Sequence, residues 1–121
     1  MKNMKVTIYT KEQGSFDLTQ EEWCNFDFNT VTIHRIDSPA MIWYDKDGSV
    51  WREYYYINDK CHRIDGPAII WYDKDGSVRR EYYYINNKPY NKEDYYNLIN
   101  EMKALPKSLR LVHELWWVRE L

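Results

Sequence analysis

Up to Tyr90 the chain reads as short apolar and aromatic runs separated by polar turn residues, and beyond it the apolar positions fall at helical spacing. Pro39 to Tyr44, an unbroken apolar run, and Val50 to Ile57, rich in aromatic residues, read as two strands. Asp45-Lys46-Asp47-Gly48 lies between them, with glycine where a hairpin loop needs positive φ. The second strand runs into Asn58-Asp59, residue types that tolerate the left-handed conformation of a two-residue loop. His34-Arg35-Ile36-Asp37-Ser38-Pro39 reads as an extended lead-in, kinked where proline cannot donate to a ladder. The chain thus turns twice per unit, which predicts an antiparallel meander.

The unit occurs twice. Residues 34–61 read HRIDSPAMIWYDKDGSVWREYYYINDKC and residues 62–89 read HRIDGPAIIWYDKDGSVRREYYYINNKP, a period of 28. Only Ser38/Gly66, Met41/Ile69, Trp51/Arg79, Asp59/Asn87 and Cys61/Pro89 differ, so the two segments are expected to fold alike. A degenerate hairpin segment, 1–33, precedes them. Phe26 and Phe28 fall under Tyr54 and Tyr56 on sliding back one period, and Ile8 to Ser15 resembles Ile42 to Ser49 at an offset of 34. An insert near Thr19-Gln20-Glu21-Glu22, with the form of a capping box, accounts for the slip and predicts a short helical turn. After Tyr90, Asn91 reads as a helix N-cap followed by Tyr95, Leu98, Ile99 and Met102 at helical spacing. Pro106 ends that helix, and Ser108 with Leu111, Val112, Leu115, Trp116 and Leu121 predicts another. The expected architecture is a single α+β domain over 1–121: an antiparallel β-meander of tandem 28-residue hairpin repeats, with 90–121 a helical C-terminal cap over an edge or face of the sheet.

Alternation sorts the second strand into faces. Val50, Arg52, Tyr54 and Tyr56 share one side, and Trp51, Glu53, Tyr55 and Ile57 the other. A position that holds Trp51 in one copy and Arg79 in the next is expected to be at least partly wet. Adjacent tyrosines point to opposite faces, so two helices cannot cover every ring. The uncovered rings would form the Tyr/Trp-rich kind of patch found at interface hot spots.

Composition sharpens this picture. The 121 residues suit one core, and 17% are aromatic, with twelve Tyr and six Trp. A formal net charge of −2 offers no basic footprint for nucleic acid. Cys24 and Cys61, with no apolar leader segment or membrane-length run, point to reduced thiols in a cytoplasmic protein.

Four constellations invite chemistry. His34-Arg35-Ile36-Asp37 and His62-Arg63-Ile64-Asp65 could grip anions or move protons, but a motif copied with each unit is better explained as scaffold. In that reading Asp caps a turn and Arg pairs with a carboxylate on a neighbouring strand. Asp45-Lys46-Asp47-Gly48 and its copy lack the further ligands of a calcium loop. The cysteines lack zinc-site spacing, and His113 stands alone on the last predicted helix. No catalytic triad, phosphate loop or paired-carboxylate motif is present, so no enzyme activity, metal or cofactor is expected.

The pattern His-Arg-x-Asp-Gly-Pro-Ala, an aromatic strand, an Asp-Gly turn and Glu-Tyr-Tyr-x-Asn resembles the MORN-like β-hairpin repeats of bacteriophage and giant-virus proteins. The resemblance covers about residues 34–90. It implies a meandering antiparallel sheet and a phage or mobile-element setting, and no activity. The chain departs from it at Ser38 and at Asp59 and Asn87, where a turn glycine is absent. By analogy, small phage proteins of this kind act on host machinery, which makes an inhibitor of a bacterial defence protein, such as an anti-CRISPR factor, the leading expectation. Its contacts would be Trp51, Tyr55, Arg79 and Tyr83, joined by Trp116 and Trp117. The alternative is a nucleotide-sequestering protein that stacks bases on its rings and holds phosphates with Arg35, Arg63, Arg52 or Arg80. A nuclease using the His-Arg-x-Asp units and a homo-oligomer formed through edge strands are the remaining readings.

Overall fold

The computed structural model describes residues 4–106. It is an α+β structure dominated by antiparallel sheet. The strands are β1 (Lys5–Thr10), β2 (Gly14–Thr19), β3 (Met41–Tyr44), β4 (Val50–Tyr54), β5 (Tyr56–Ile57), β6 (Lys60–Cys61), β7 (Ile69–Tyr72), β8 (Val78–Ile85) and β9 (Lys88–Tyr90). Helix α1 (Gln20–Asn25) follows β2, and helix α2 (Lys92–Lys103) follows β9. Seven strands form one sheet in the order β2-β1-β3-β4-β7-β8-β9, while β5 and β6 form a separate two-stranded ladder beside it. No helix among the described residues is long and apolar enough to cross a membrane. The helix expected from Ser108 onward lies outside the described residues.

The turn chemistry follows the residue types. Asn58 and Asp59 have φ of 50° and 65°, and Asn86 and Asn87 have 49° and 69°, so both tight loops have two left-handed central residues. That is the turn whose twist matches its flanking strands. A second job explains why glycine is absent. Asp59 Oδ1 accepts from the Ile33 N–H and Asn87 Oδ1 from the Cys61 N–H, each at 2.7 Å, so each turn side chain ties its loop to the segment one unit earlier. His34 and His62 work alike: Nδ1 accepts from the Asn58 and Asn86 N–H respectively, each at 3.0 Å.

The N-terminal segment forms its hairpin, but in a different register from that suggested by sequence sliding. β1 sits between β2 and β3, so the expected simple meander holds only from β3 onward. Ile8 pairs with Met41 as Tyr54 pairs with Ile69, and Tyr9 N donates to Ala40 O as Tyr55 N donates to Ala68 O, both at 2.8 Å. Ile8 therefore holds the place expected for Phe26. The cause is α1, closed by a capping box in which Thr19 and Glu22 exchange side-chain and backbone bonds. It lifts the chain off the sheet. Phe26 then packs on Phe16, and Phe28 and Trp43 pack on Trp23, with ring centroids 4.7–5.4 Å apart.

Two apolar clusters lie on opposite faces, because Met41 and Tyr83 stand at opposite phases of the register. Val6, Ile8, Leu18, Ile33, Ala40 and Met41 form the first, flanked by the rings around Trp23. Ile64, Tyr83, Ile85, Tyr95, Ile99 and Met102 form the second, beneath α2. The helix begins as expected, with Asn91 Oδ1 accepting from Asp94 N at 2.8 Å, and buries the predicted Tyr95, Ile99 and Met102.

Candidate functional site

Among the described residues, α1 covers one end of the first face and α2 lies on the other face, and neither lies over the stretch of sheet around Trp51, Trp71 and Tyr82. Strict alternation would put Trp51 opposite Arg52. Instead the ladder shifts register at Trp43/Tyr44: Trp43 pairs with Arg52 and Tyr44 with Val50, so Trp51 is an extra, bulged residue. A bulge of this kind re-aims its side chain. The Arg52 guanidinium consequently lies between two indoles, 4.3 Å from the Trp51 ring and 4.1 Å from the Trp71 ring. Trp71 meets Tyr82 edge to face at 5.4 Å.

These residues line an open groove of about 440 Å³ with Tyr72, Arg79 and Arg80. Three arginines border it and no carboxylate does. Arg79 reaches Asp73 at 4.0 Å, but both side chains are half exposed or more, so the pair neutralises little. Trp51 Nε1, Arg52 Nε and Trp71 Nε1 are buried and lack a hydrogen-bond acceptor among the described residues. A buried donor without a partner costs about 1–3 kcal/mol, and because these three atoms are shielded, the open surface of the groove is set by its three arginines. Chemically this surface suits an acceptor-rich, negatively charged group.

The expected contact residues are divided. Trp51 and Arg79, both at bulges, line this groove with Arg52 and Arg80. Tyr55 does not join them: the Arg63 guanidinium covers its ring at 4.0 Å, and burial raises its pKa above the ordinary tyrosine value. Tyr83 is only 5% exposed and packed on Tyr95 at 4.8 Å, on the face beneath α2 and away from this groove. The single face expected for Trp51, Tyr55, Arg79 and Tyr83 thus fails, because the bulge breaks the period-two count between the first and second members. Trp116 and Trp117 lie outside the described residues. Reasoning from alternation missed Trp71 and Tyr82 as partners of Trp51. The available signal was their placement in the same phase as Arg80 on paired strands.

The His-Arg-x-Asp units are absorbed by the scaffold. Arg35 lies 3.8 Å over the Tyr9 ring and its Nη1 donates to Pro39 O at 3.1 Å; Arg63 lies over Tyr55 and donates to Pro67 O at 3.0 Å. The carboxylate of Asp65 pairs with Arg63 of its own unit at 3.3 Å, in place of the neighbouring-strand carboxylate expected. Tyr9, Tyr55 and Tyr83 are thus covered in turn by Arg35, Arg63 and Tyr95, the last supplied by α2. A cavity of about 40 Å³ lies between Tyr55 and the two units.

Asp47 and Asp75 accept from the backbone and hydroxyl of Ser49 and Ser77, which hold their carboxyl groups below the ordinary range. Cys24 and Cys61 are both free thiols, and burial pushes Cys61 up to about 12. No group of three or more His, Cys, Asp or Glu among the described residues is arranged to hold a metal. No protein-family model, curated protein or solved structure matches the chain.

Proposed function

We propose that the protein is a non-catalytic binding module that engages an acidic patch on a protein partner through Trp51, Arg52, Trp71, Arg79, Arg80 and Tyr82. The observation that carries this reading is the Arg52 guanidinium lying 4.3 Å and 4.1 Å from two indole rings, on a groove bordered by three arginines and no carboxylate. Stacking fixes the guanidinium plane before binding, so less side-chain entropy is lost when a carboxylate arrives. Trp, Tyr and Arg are also the residue types that dominate interface hot spots. The partner class suggested by the MORN-like resemblance is a bacterial host protein, with inhibition of a defence system as the outcome. Under this reading the 28-residue segments are structural units. Asp59 and Asn87 accept equivalent bonds from the Ile33 and Cys61 N–H, and His34 and His62 from the Asn58 and Asn86 N–H, which supports that.

Affinity capture from host lysate tests the proposal. The wild-type chain retains a stoichiometric protein that Arg52→Glu and Trp51→Ala each release, and the retention weakens as salt rises. A partner retained equally by both variants, or no stoichiometric partner, overturns it. The nucleotide reading keeps one supporting observation: a groove of about 440 Å³ with rings and arginines together falls in the size range of small-ligand sites. Stabilisation in a thermal-shift screen by nucleotides, lost in Arg52→Ala, would favour it over a protein partner.

A further inference from the structure

Among the described residues, the outer edge of β8 from Val78 to Tyr82 carries no strand, whereas the corresponding edge of β4 is filled. Arg80-Glu81-Tyr82-Tyr83 has the same residues as Arg52-Glu53-Tyr54-Tyr55. In the first unit, the edge of Arg52 to Tyr54 receives β7 in the register Arg52↔Trp71, Glu53↔Ile70 and Tyr54↔Ile69. Side chains read the incoming strand: the Trp71 ring stacks on Arg52 at 4.1 Å, and the Tyr72 hydroxyl donates to Glu53 Oε1 at 2.6 Å.

In the second unit, β8 pairs with β7 from Val78 to Tyr82 but with β9 only from Tyr83 to Ile85. Beyond Val78 to Tyr82, no strand adds to the outer side among the described residues. Val78 is 51% exposed, and Arg79, Arg80 and Glu81 are exposed as well. Tyr82 O accepts from Ala68 N at 2.9 Å and so faces β7. Backbone alternation then turns the Glu81 N–H and C=O to the open side. A groove of about 370 Å³, lined by Glu81 to Tyr84 and Pro89 to Lys92, adjoins this edge.

We propose that this edge docks an extended segment of a partner protein by strand addition. The segment would carry the aliphatic-aliphatic-aromatic-aromatic pattern of Ile69 to Tyr72. Its backbone would bond Glu81, its first aromatic residue would stack on Arg80, and its second would donate to the Glu81 carboxylate, as β7 does with Arg52 and Glu53. Main-chain bonds supply affinity in this mode and alternate side chains supply selection. A second copy of the chain cannot supply β3 or β7, because each already has a strand on both sides. The inference deepens the binding-module reading by naming a second element of the partner; the two share Arg80, and Glu81 belongs to this edge alone.

The probe is a synthetic peptide with the sequence of residues 66–73, GPAIIWYD, titrated into the full-length protein by calorimetry. Saturable one-to-one binding is expected. It should weaken at least about tenfold when the peptide carries Ile70→Pro, which removes the central donor, or when the protein carries Glu81→Ala. The Trp51→Ala protein, altered in the groove alone, binds the peptide unchanged. No saturable binding up to about 1 mM peptide, equal binding of the proline peptide, or loss only with Trp51→Ala overturns the proposal. Any of these results leaves the lysate experiment on the arginine groove standing, and failure of that experiment leaves the peptide result standing.

Discussion

Tyr95→Phe tests how the helix is joined to the hairpin units. Tyr95 is fully buried, and its hydroxyl lies 2.6 Å from Arg63 O and 2.9 Å from Gly66 O while Gly66 N donates to it at 3.3 Å. One proton can satisfy one carbonyl at a time, and the oxygen serves the Gly66 N–H. The substitution keeps the ring against Tyr83 and deletes these bonds. Losing a net hydrogen bond costs about 1 kcal/mol, and stranding buried backbone groups adds about 1–3 kcal/mol. A loss of about 2 kcal/mol is expected, a large share of the roughly 5–15 kcal/mol that holds a domain together. Urea unfolding followed by tyrosine and tryptophan fluorescence measures it, with an unchanged m-value. Tyr44→Phe, at a half-exposed tyrosine of the first hairpin, should move stability by less than about 0.5 kcal/mol. Alkaline titration adds an independent readout. Burial pushes Tyr95 up to about 12, so the unfolded chain ionises first, and the contribution present below about pH 10 is lost as pH rises toward 12. Tyr95→Phe should remove its part of that slope. A variant within 0.5 kcal/mol of wild type would refute the claim that this hydroxyl ties α2 to the loop of the second unit.

Asn87→Gly is favourable by turn chemistry alone, since φ at this position is 69°, yet it should destabilise the protein by about 1 kcal/mol because the 2.7 Å bond from Cys61 N loses its acceptor. An equal or higher thermal midpoint would show that the turn conformation outweighs the tie. Acid should act through His34 before the carboxylates. Burial, aided by Lys11, lowers its pKa below 6.5, so its contribution is complete above that pH and is lost as pH falls through the lowered value. Protonating Nδ1 also removes the acceptor of the Asn58 N–H. Thermal midpoints recorded between pH 8 and 5 should fall for wild type and fall less for His34→Asn, which retains a side-chain acceptor; parallel curves would remove His34 from the explanation.

Most strands, both kinds of turn, the capping box of α1 and the N-cap and buried stripe of α2 were legible in the residues alone; that the strand expected over Val50 to Ile57 breaks at Tyr55 into β4 and β5, while its near-identical copy β8 runs unbroken, was not. Each legible feature is a local property: side-chain period, left-handed tolerance of Asn, Asp and Gly, and satisfaction of free N–H groups at a helix start. For the His-Arg-x-Asp units the expected partner was not legible, since Arg63 pairs with Asp65 of its own segment and not with a carboxylate on a neighbouring strand. Three matters were decided only by tertiary structure. Strand order placed β1 between β2 and β3, since pairing is set by packing partners distant in sequence and the apolar alternation of β1 fits more than one register. The bulge at Trp51 re-aimed an indole that a period of two assigns to the other face, and so assembled Trp51, Arg52 and Trp71. Docking of α2 separated two equivalent tyrosines: Tyr55 lies under an arginine and Tyr83 under a helix, although their neighbours along the chain are the same. Local sequence dictates which way a side chain leaves the backbone, whereas its exposure depends on which distant element arrives to cover it.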